Sequence, residues 1–340
     1  MVGRPALRHL ILAAAVAAWA SPAMAQPPAS PPPPRPATRP GASAPDSEAD
    51  RLAEAAGKAI EAGHLDEAES LQRRSLAIRE KIVGPEHPDV ARSLATLAMI
   101  RSERGTSEEA LTLLKRALEI RNRALGPDHP ETAKVYQKMG VVELLRGRLA
   151  PALDDMNRAL KIQTKALGAD HPDVAETLSD SAAALLVAAR RYRERPTPKV
   201  LLARLKGERT NSVRPMALAE AEKSLKRAVA IFEKSGKAKT PRMALALDNL
   251  AAVCVEQGRY LEAESLTSRA LAIADAALRP DDPNLAIFIE QRINALKLHR
   301  LDPAERAEVR TLTARAKAIR ERETDSAAKT RTKEDSTRRS

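Results

Sequence analysis

Aromatic residues make up only 2% of this sequence, with one tryptophan, three tyrosines and two phenylalanines among 340 residues. So few aromatic and β-branched side chains disfavour a sheet-built core, while the abundance of Ala, Leu and charged residues suits helices. Cysteine is nearly absent. Cys254 stands alone, which excludes an intramolecular disulfide. Its Ala/Leu surroundings predict a small core residue, with a reactive thiol as the alternative. Long apolar runs are missing beyond the N-terminus, and the mean hydropathy is −0.38, so no transmembrane helix is expected in the body of the chain. Nucleophile motifs, a Gly-rich phosphate loop and paired Cys/His ligand sets are also missing. No catalytic residue, metal or cofactor is therefore assigned, and the chain is read as a non-enzyme.

One apolar run does occur, at the start. Arg4, Arg8 and His9 precede the stretch from Leu10 to Ala20, and Ala23-Met24-Ala25 supplies small residues ahead of Gln26. This pattern predicts a cleaved signal peptide over residues 1–25, and so an exported protein, periplasmic or extracellular. The run is short for an uncleaved membrane anchor. From 26 to 47 the chain is dominated by Pro, Ala and Ser, a composition that reads as a disordered, extended spacer. The formal charge of +12 falls to +10 once Arg4 and Arg8 are removed. An excess of that sign favours anionic partners without naming one.

What fills the rest of the chain is repetition. Gly84-Pro85-Glu86-His87-Pro88-Asp89 recurs as Gly126-Pro127-Asp128-His129-Pro130-Glu131 and as Gly168-Ala169-Asp170-His171-Pro172-Asp173, each 42 residues after the last. Thr240-Pro241 and Asp282-Pro283 repeat the same step further on. A fixed period of this length marks a stack of supersecondary units. Within each unit a helical segment follows the proline. A glycine turn comes next, as at Gly63, Gly105, Gly147 and Gly258, and then a second amphipathic segment. Ala110, Leu113, Leu114, Ala117 and Leu118 share one face of such a second helix. His87, His129 and His171 do not read as metal ligands. Equivalent positions in successive units are two helix layers apart, about 8–10 Å per layer, whereas zinc ligands all lie about 2 Å from one ion. Each His-Pro pair reads instead as a helix start, with proline at the first helical position.

Leu125-Gly126-Pro127-Asp128-His129-Pro130, Gly258-Arg259-Tyr260-Leu261-Glu262-Ala263-Glu264 and Arg269-Ala270-Leu271-Ala272-Ile273 resemble the 42-residue tetratricopeptide repeats of kinesin light chains and their bacterial relatives. The resemblance runs from Glu48 to Arg320. It implies an all-α, right-handed superhelical solenoid of about six helix-turn-helix repeats. These are placed at 48–84, 85–126, 127–168, 169–236, 237–278 and 279–320, with a disordered charged tail at 321–340. It also implies a concave groove lined by the first helix of each pair, where an asparagine often clamps an extended peptide. Asn249 matches that position, and the corresponding residues are Thr96, Lys138 and Asp180. The asparagine is thus kept in one repeat of four, so Asn249 reads equally as a ligand contact or as a plain solvent-facing residue.

The fourth repeat is long. An added stretch over 193–217 carries Arg193, Arg195, Lys199, Arg204, Lys206, Arg209 and Arg214 against two acidic residues. It reads either as a solvated loop or as a site for an anionic surface or polymer; without aromatic residues to stack bases, nucleic acid is not expected as a partner. Two functions therefore stand. The first is a protein-protein interaction scaffold in the cell envelope, binding one or more proteins or peptides through the groove. The second is electrostatic binding through the basic insertion.

Overall fold

The structure is a computed structural model that describes residues 44–194 and 213–339. The expected signal peptide and most of the Pro-rich spacer lie outside the described residues, as does the centre of the basic insertion. Twelve helices and no strands are present among the described residues. They form six antiparallel pairs: α1 (Ala44–Glu61) with α2 (Leu65–Val83), α3 (Pro88–Glu103) with α4 (Ser107–Leu125), and α5 (Pro130–Leu145) with α6 (Leu149–Leu167). Then come α7 (Pro172–Glu194) with α8 (Val213–Lys234), α9 (Pro241–Glu256) with α10 (Tyr260–Ala277), and α11 (Pro283–Leu296) with α12 (Pro303–Arg339). Six pairs agree in number with the roughly six repeats expected from the 42-residue period. No described helix is long and apolar enough to cross a membrane.

The start of each first helix follows from its cap. At α3, α5 and α7 the preceding histidine turns its Nδ1 inward to accept the backbone N–H of the residue after proline, at 3.2, 3.1 and 3.1 Å for His87, His129 and His171. One otherwise orphaned helix donor is thereby satisfied, a role ordinarily filled by Ser, Thr or Asp. Thr240 and Asp282 take that place in the last two repeats, accepting from Met243 and Asn284. The histidines are structural punctuation. At the other end of the period, Gly126 holds φ +91°, a left-handed conformation in which a Cβ would be strained.

The first helices from α3 onward are buried on most of their circumference, whereas each second helix buries one stripe. On α4 that stripe is Ala110, Leu111, Leu114, Ala117 and Ile120. Fully burying a leucine such as Leu114 contributes about 1.5–3 kcal/mol. Curvature comes from an asymmetry in contacts. Successive first helices lie backbone against backbone, α3 with α5, α5 with α7, α7 with α9 and α9 with α11, while successive second helices meet through longer side-chain ion pairs such as Arg116–Glu80 and Arg269–Glu233. The first helices therefore form the crowded inner row of a solenoid and the second helices its splayed outer row.

Two segments differ from expectation. Helix α8 begins at Val213 rather than near Leu218, and α7 runs on to Glu194, so the insertion between helices shrinks to 195–212. The extra turns persist because Arg190 on α7 and Arg214 on α8 both reach Glu256 on α9, each at 3.0 Å. The last helix is drawn through to Arg339, across the tail for which disorder was expected. Eleven of the twenty residues from Glu321 to Ser340 are Glu, Arg, Lys or Ala, which are good helix formers.

Candidate functional site

The inner row carries polar residues in register along its helices. Three positions recur on its helices at the repeat step: Asp89, Glu131, Asp173 and Arg242 in one row; Arg92, Lys134 and Glu176 in the next; Thr96, Lys138, Asp180 and Asn249 in the third. Ionic contacts knit these rows across repeats. Lys134 on α5 lies 3.0 Å from Glu131 and 3.2 Å from Asp173 on α7. Arg242 on α9 lies 3.5 Å from both Glu176 and Asp180 on α7. Gln137 on α5 donates to Asp180 at 2.7 Å. Three consecutive first helices are thus bridged by one polar ladder.

Burial sets its electrostatics. Although burial opposes it, Asp173 and Glu131 together hold the Lys134 ammonium well above the usual lysine range. Lys138 goes the other way. Burial pushes its ammonium down to about 8, and the nearby Arg242 adds to the effect, while Glu176 and Asp180 counter it in part. Asp180 is raised by burial, against the pull of Arg242 and of the Gln137 hydrogen bond. A cation whose charge is this costly gains more than an exposed lysine would from a ligand anion placed beside it.

The four groove candidates fare differently. Lys138 and Asp180 are brought into one neighbourhood with Glu176 and Arg242, and Thr96 is half-buried on α3 in the same register. Asp180 is 2% exposed and committed to Gln137 and Arg242, so it orients the ladder rather than meeting a partner directly. Asn249 is a correction to both of its readings. It is 1% exposed, neither a solvent-facing residue nor an open groove contact, and its amide nitrogen and oxygen have no hydrogen-bond partner. The ladder residues Lys134, Glu176 and Arg242 were not singled out from the sequence. Reading the helix one and two turns N-terminal of the asparagine position in each repeat would have found them.

Most of the anion-site candidates of the insertion, Arg195, Lys199, Arg204, Lys206 and Arg209, fall outside the described residues, and of Arg193 only the helical backbone is described. Arg214 is engaged with both the side chain and the backbone carbonyl of Glu256, which makes it an anchor of the insertion rather than a displayed cation. Cys254 is buried, and burial pushes its thiol up to about 11, away from the reactive thiolate.

A family model described as "Tetratricopeptide repeat" matches residues 59–122, 96–165 and 217–287. Among solved structures, BtubC (BKLC) from P. vanneervenii is 16% identical with a TM-score of 0.50, over 82% of this chain and 92% of that one. The apo form of RapI is 15% identical with a TM-score of 0.51, over 78% of this chain and 82% of the other. The kinesin light chain nearly identical TPR-like repeats from Podosopora anserina are 22% identical with a TM-score of 0.47, covering 69% and 98%. The curated proteins give no match. At such identities the likeness to BtubC and RapI is one of fold.

Proposed function

Since the chain belongs to the tetratricopeptide repeat family, we propose that it is a non-catalytic scaffold that binds a protein partner along the inner row of first helices. The observation that carries this reading is the polar ladder on α5, α7 and α9. It places a half-buried cation, Lys138, among fixed charges on the surface where successive first helices line up. Side-chain ladders of this kind select a partner by charge register, because a mismatched group is left desolvated and unpaired. The partner chemistry that Lys138 favours is an extended segment with a carboxylate or another acceptor at this point. The N-terminal sequence supports action in the cell envelope, after export.

The test is affinity capture from envelope extract with the full mature chain, beside Lys138→Glu and beside a chain lacking 195–212. A discrete protein that survives high salt on the wild type and the shortened chain is expected, with retention by Lys138→Glu reduced by roughly tenfold or more. Equal retention by wild type and Lys138→Glu would remove the inner row as the site. Material lost at high salt, and lost with 195–212, would move the function to the basic insertion and an anionic surface.

A further inference from the structure

Far from the polar ladder, at the last turn of the solenoid, three side chains from separate elements point their free ligand atoms at one spot. They are Glu264 on α10, His299 in the loop after α11, and Glu305 in the first turn of α12. His299 Nε2 lies 3.2 Å from Glu264 Oε2 and 3.9 Å from Glu305 Oε1, and all three atoms fall within 4.8 Å of one another. Ligand atoms bonded at about 2.0–2.1 Å to one tetrahedral ion stand roughly 3.4 Å apart. The trio is therefore within about 1.4 Å of the spacing of a coordination face.

What each residue does with its other atoms is the more telling fact. Glu305 Oε2 accepts the backbone N–H of Asp302 at 2.7 Å while Asp302 Oδ1 accepts that of Glu305 at 2.8 Å, a reciprocal helix cap that leaves Oε1 facing the histidine. Glu264 Oε1 lies 3.4 Å from the guanidinium of Arg292, itself buried and anchored on Glu308, which leaves Oε2 for the same spot. His299 Nδ1 lies 3.4 Å from the carbonyl of Arg300, the kind of outer contact that fixes a metal-binding tautomer with Nε2 unprotonated. With the proton on Nδ1, three electron-pair donors converge on one spot, an arrangement that a cation between them would stabilise. A proton on Nε2 can satisfy one carboxylate by a hydrogen bond, at 3.2 Å. Glu305, at 3.9 Å, is beyond hydrogen-bond reach but inside the span of a coordination sphere. Side-chain exposures of 28, 23 and 24% leave a hydrated ion a way in.

We propose that Glu264, His299 and Glu305 form a three-ligand site for a divalent transition cation of the zinc type, bound through two carboxylate oxygens and one imidazole nitrogen. The ligand set of one nitrogen and two oxygens suits zinc and its borderline neighbours better than calcium, which takes six or more oxygens. Bound there, the ion fastens α10, the loop and α12 together and closes the end of the stack, which otherwise rests on one neighbouring repeat. Its remaining coordination is open to water or to a donor from another molecule.

The test uses the full mature chain after dialysis against a chelator, with Zn²⁺ and Co²⁺ as probes. One equivalent of Zn²⁺ per chain is expected, with a rise in the melting temperature and a visible absorption band on adding Co²⁺. His299→Ala is expected to lose at least roughly a hundredfold in Zn²⁺ affinity, and Glu305→Gln, which keeps the helix cap, roughly tenfold. His64→Ala, at a histidine near Glu67 on the opposite end of the solenoid, is expected to change nothing. The metal-free melting temperature of each variant, compared with that of the metal-free wild type, separates lost binding from lost folding. Absence of stoichiometric Zn²⁺ binding would overturn the proposal. So would binding that survives His299→Ala, or that falls equally in His64→Ala.

Discussion

The front and rear of the solenoid are built on the same period but not in the same way. The front core gathers α3 to α6 around Val90, Leu94, Leu114, Ile120, Val142 and Met156, with every first helix after α1 capped by His-Pro. The rear core gathers α7 to α12 around Leu225, Phe232, Met243, Leu245, Leu285 and Phe288, takes Thr and Asp as later caps, and absorbs an insertion. Helix α7 joins them, giving Ala184 and Val187 to the front core and Val174, Leu178 and Leu186 to the rear. The closure of a single repeat survives the insertion: Lys165 reaches Asp128 at 2.6 Å across the third repeat, and Lys234 reaches Asp170 at 2.5 Å across the fourth, which carries the added stretch. A stack of nearest-neighbour units depends on the faces that meet, not on the length of chain between them.

The halves also differ in how they meet tight spots and buried charge, and each difference can be broken separately. The largest effect is expected in front. Gly140 lets α5 lie so close to α6 that a Cβ would come within 2.8 Å of Met156 Cγ and 2.9 Å of the Ala152 carbonyl. The backbone atom cannot swing aside, so Gly140→Leu is expected to cost about 3 kcal/mol by urea unfolding, more than the helix-propensity gain of losing a glycine. The matching position at the rear junction is Ala182, which is fully buried with its methyl group already accommodated. A mild Gly140→Leu would mean that the two junctions are not differently packed.

The rear half has a pH dependence set largely by one buried carboxyl on α9. Asp248 is 3% exposed on α9, and burial lifts its carboxyl to about 7, with Arg190 only partly opposing. The folded chain therefore holds a proton that the unfolded chain releases at about pH 4. Stability from this group is full below that point and is lost as pH rises through about 7. Asp248→Asn is expected to stabilise the protein at pH 8 by about 2 kcal/mol and to change little at pH 4, as read by denaturant midpoints at the two values. In front, Glu103 is also raised to about 7 by burial and adds a decline of the same sign, which Asp248→Asn leaves in place. A midpoint unchanged at pH 8 would show Asp248 already ionised and paired.

The smallest effect should be the same in both halves. Arg116 meets Glu80 at 2.7 Å on the outer row in front, and Arg269 meets Glu233 at 2.6 Å at the rear. These exposed pairs are expected to contribute no more than about 0.5 kcal/mol each, so Arg116→Ala and Arg269→Ala should move the midpoint little, and less still in high salt. Unequal losses would show that the outer rows of the two halves are not equivalent.

Much of this protein was written along the chain. The 42-residue period, the His-Pro, Thr-Pro and Asp-Pro starts and the glycine turns determined the helix pairs, because capping, proline geometry and positive φ are local properties that need no tertiary partner. The resemblance named the family for the same reason. Other features depended on which helices meet. Asn249 and Asp248 are buried because α9 is packed on most of its circumference, and one isolated helix pattern cannot show which of its faces are covered. Lys134, Glu176 and Arg242 form a ladder only because α5, α7 and α9 lie side by side, although they are far apart in sequence. Arg214 became an anchor once Glu256 was brought beneath it. Glu264, His299 and Glu305 meet only where three elements converge at the end of the stack. Short-range stereochemistry is legible residue by residue, whereas burial and charge pairing belong to surfaces that exist only after the repeats have stacked.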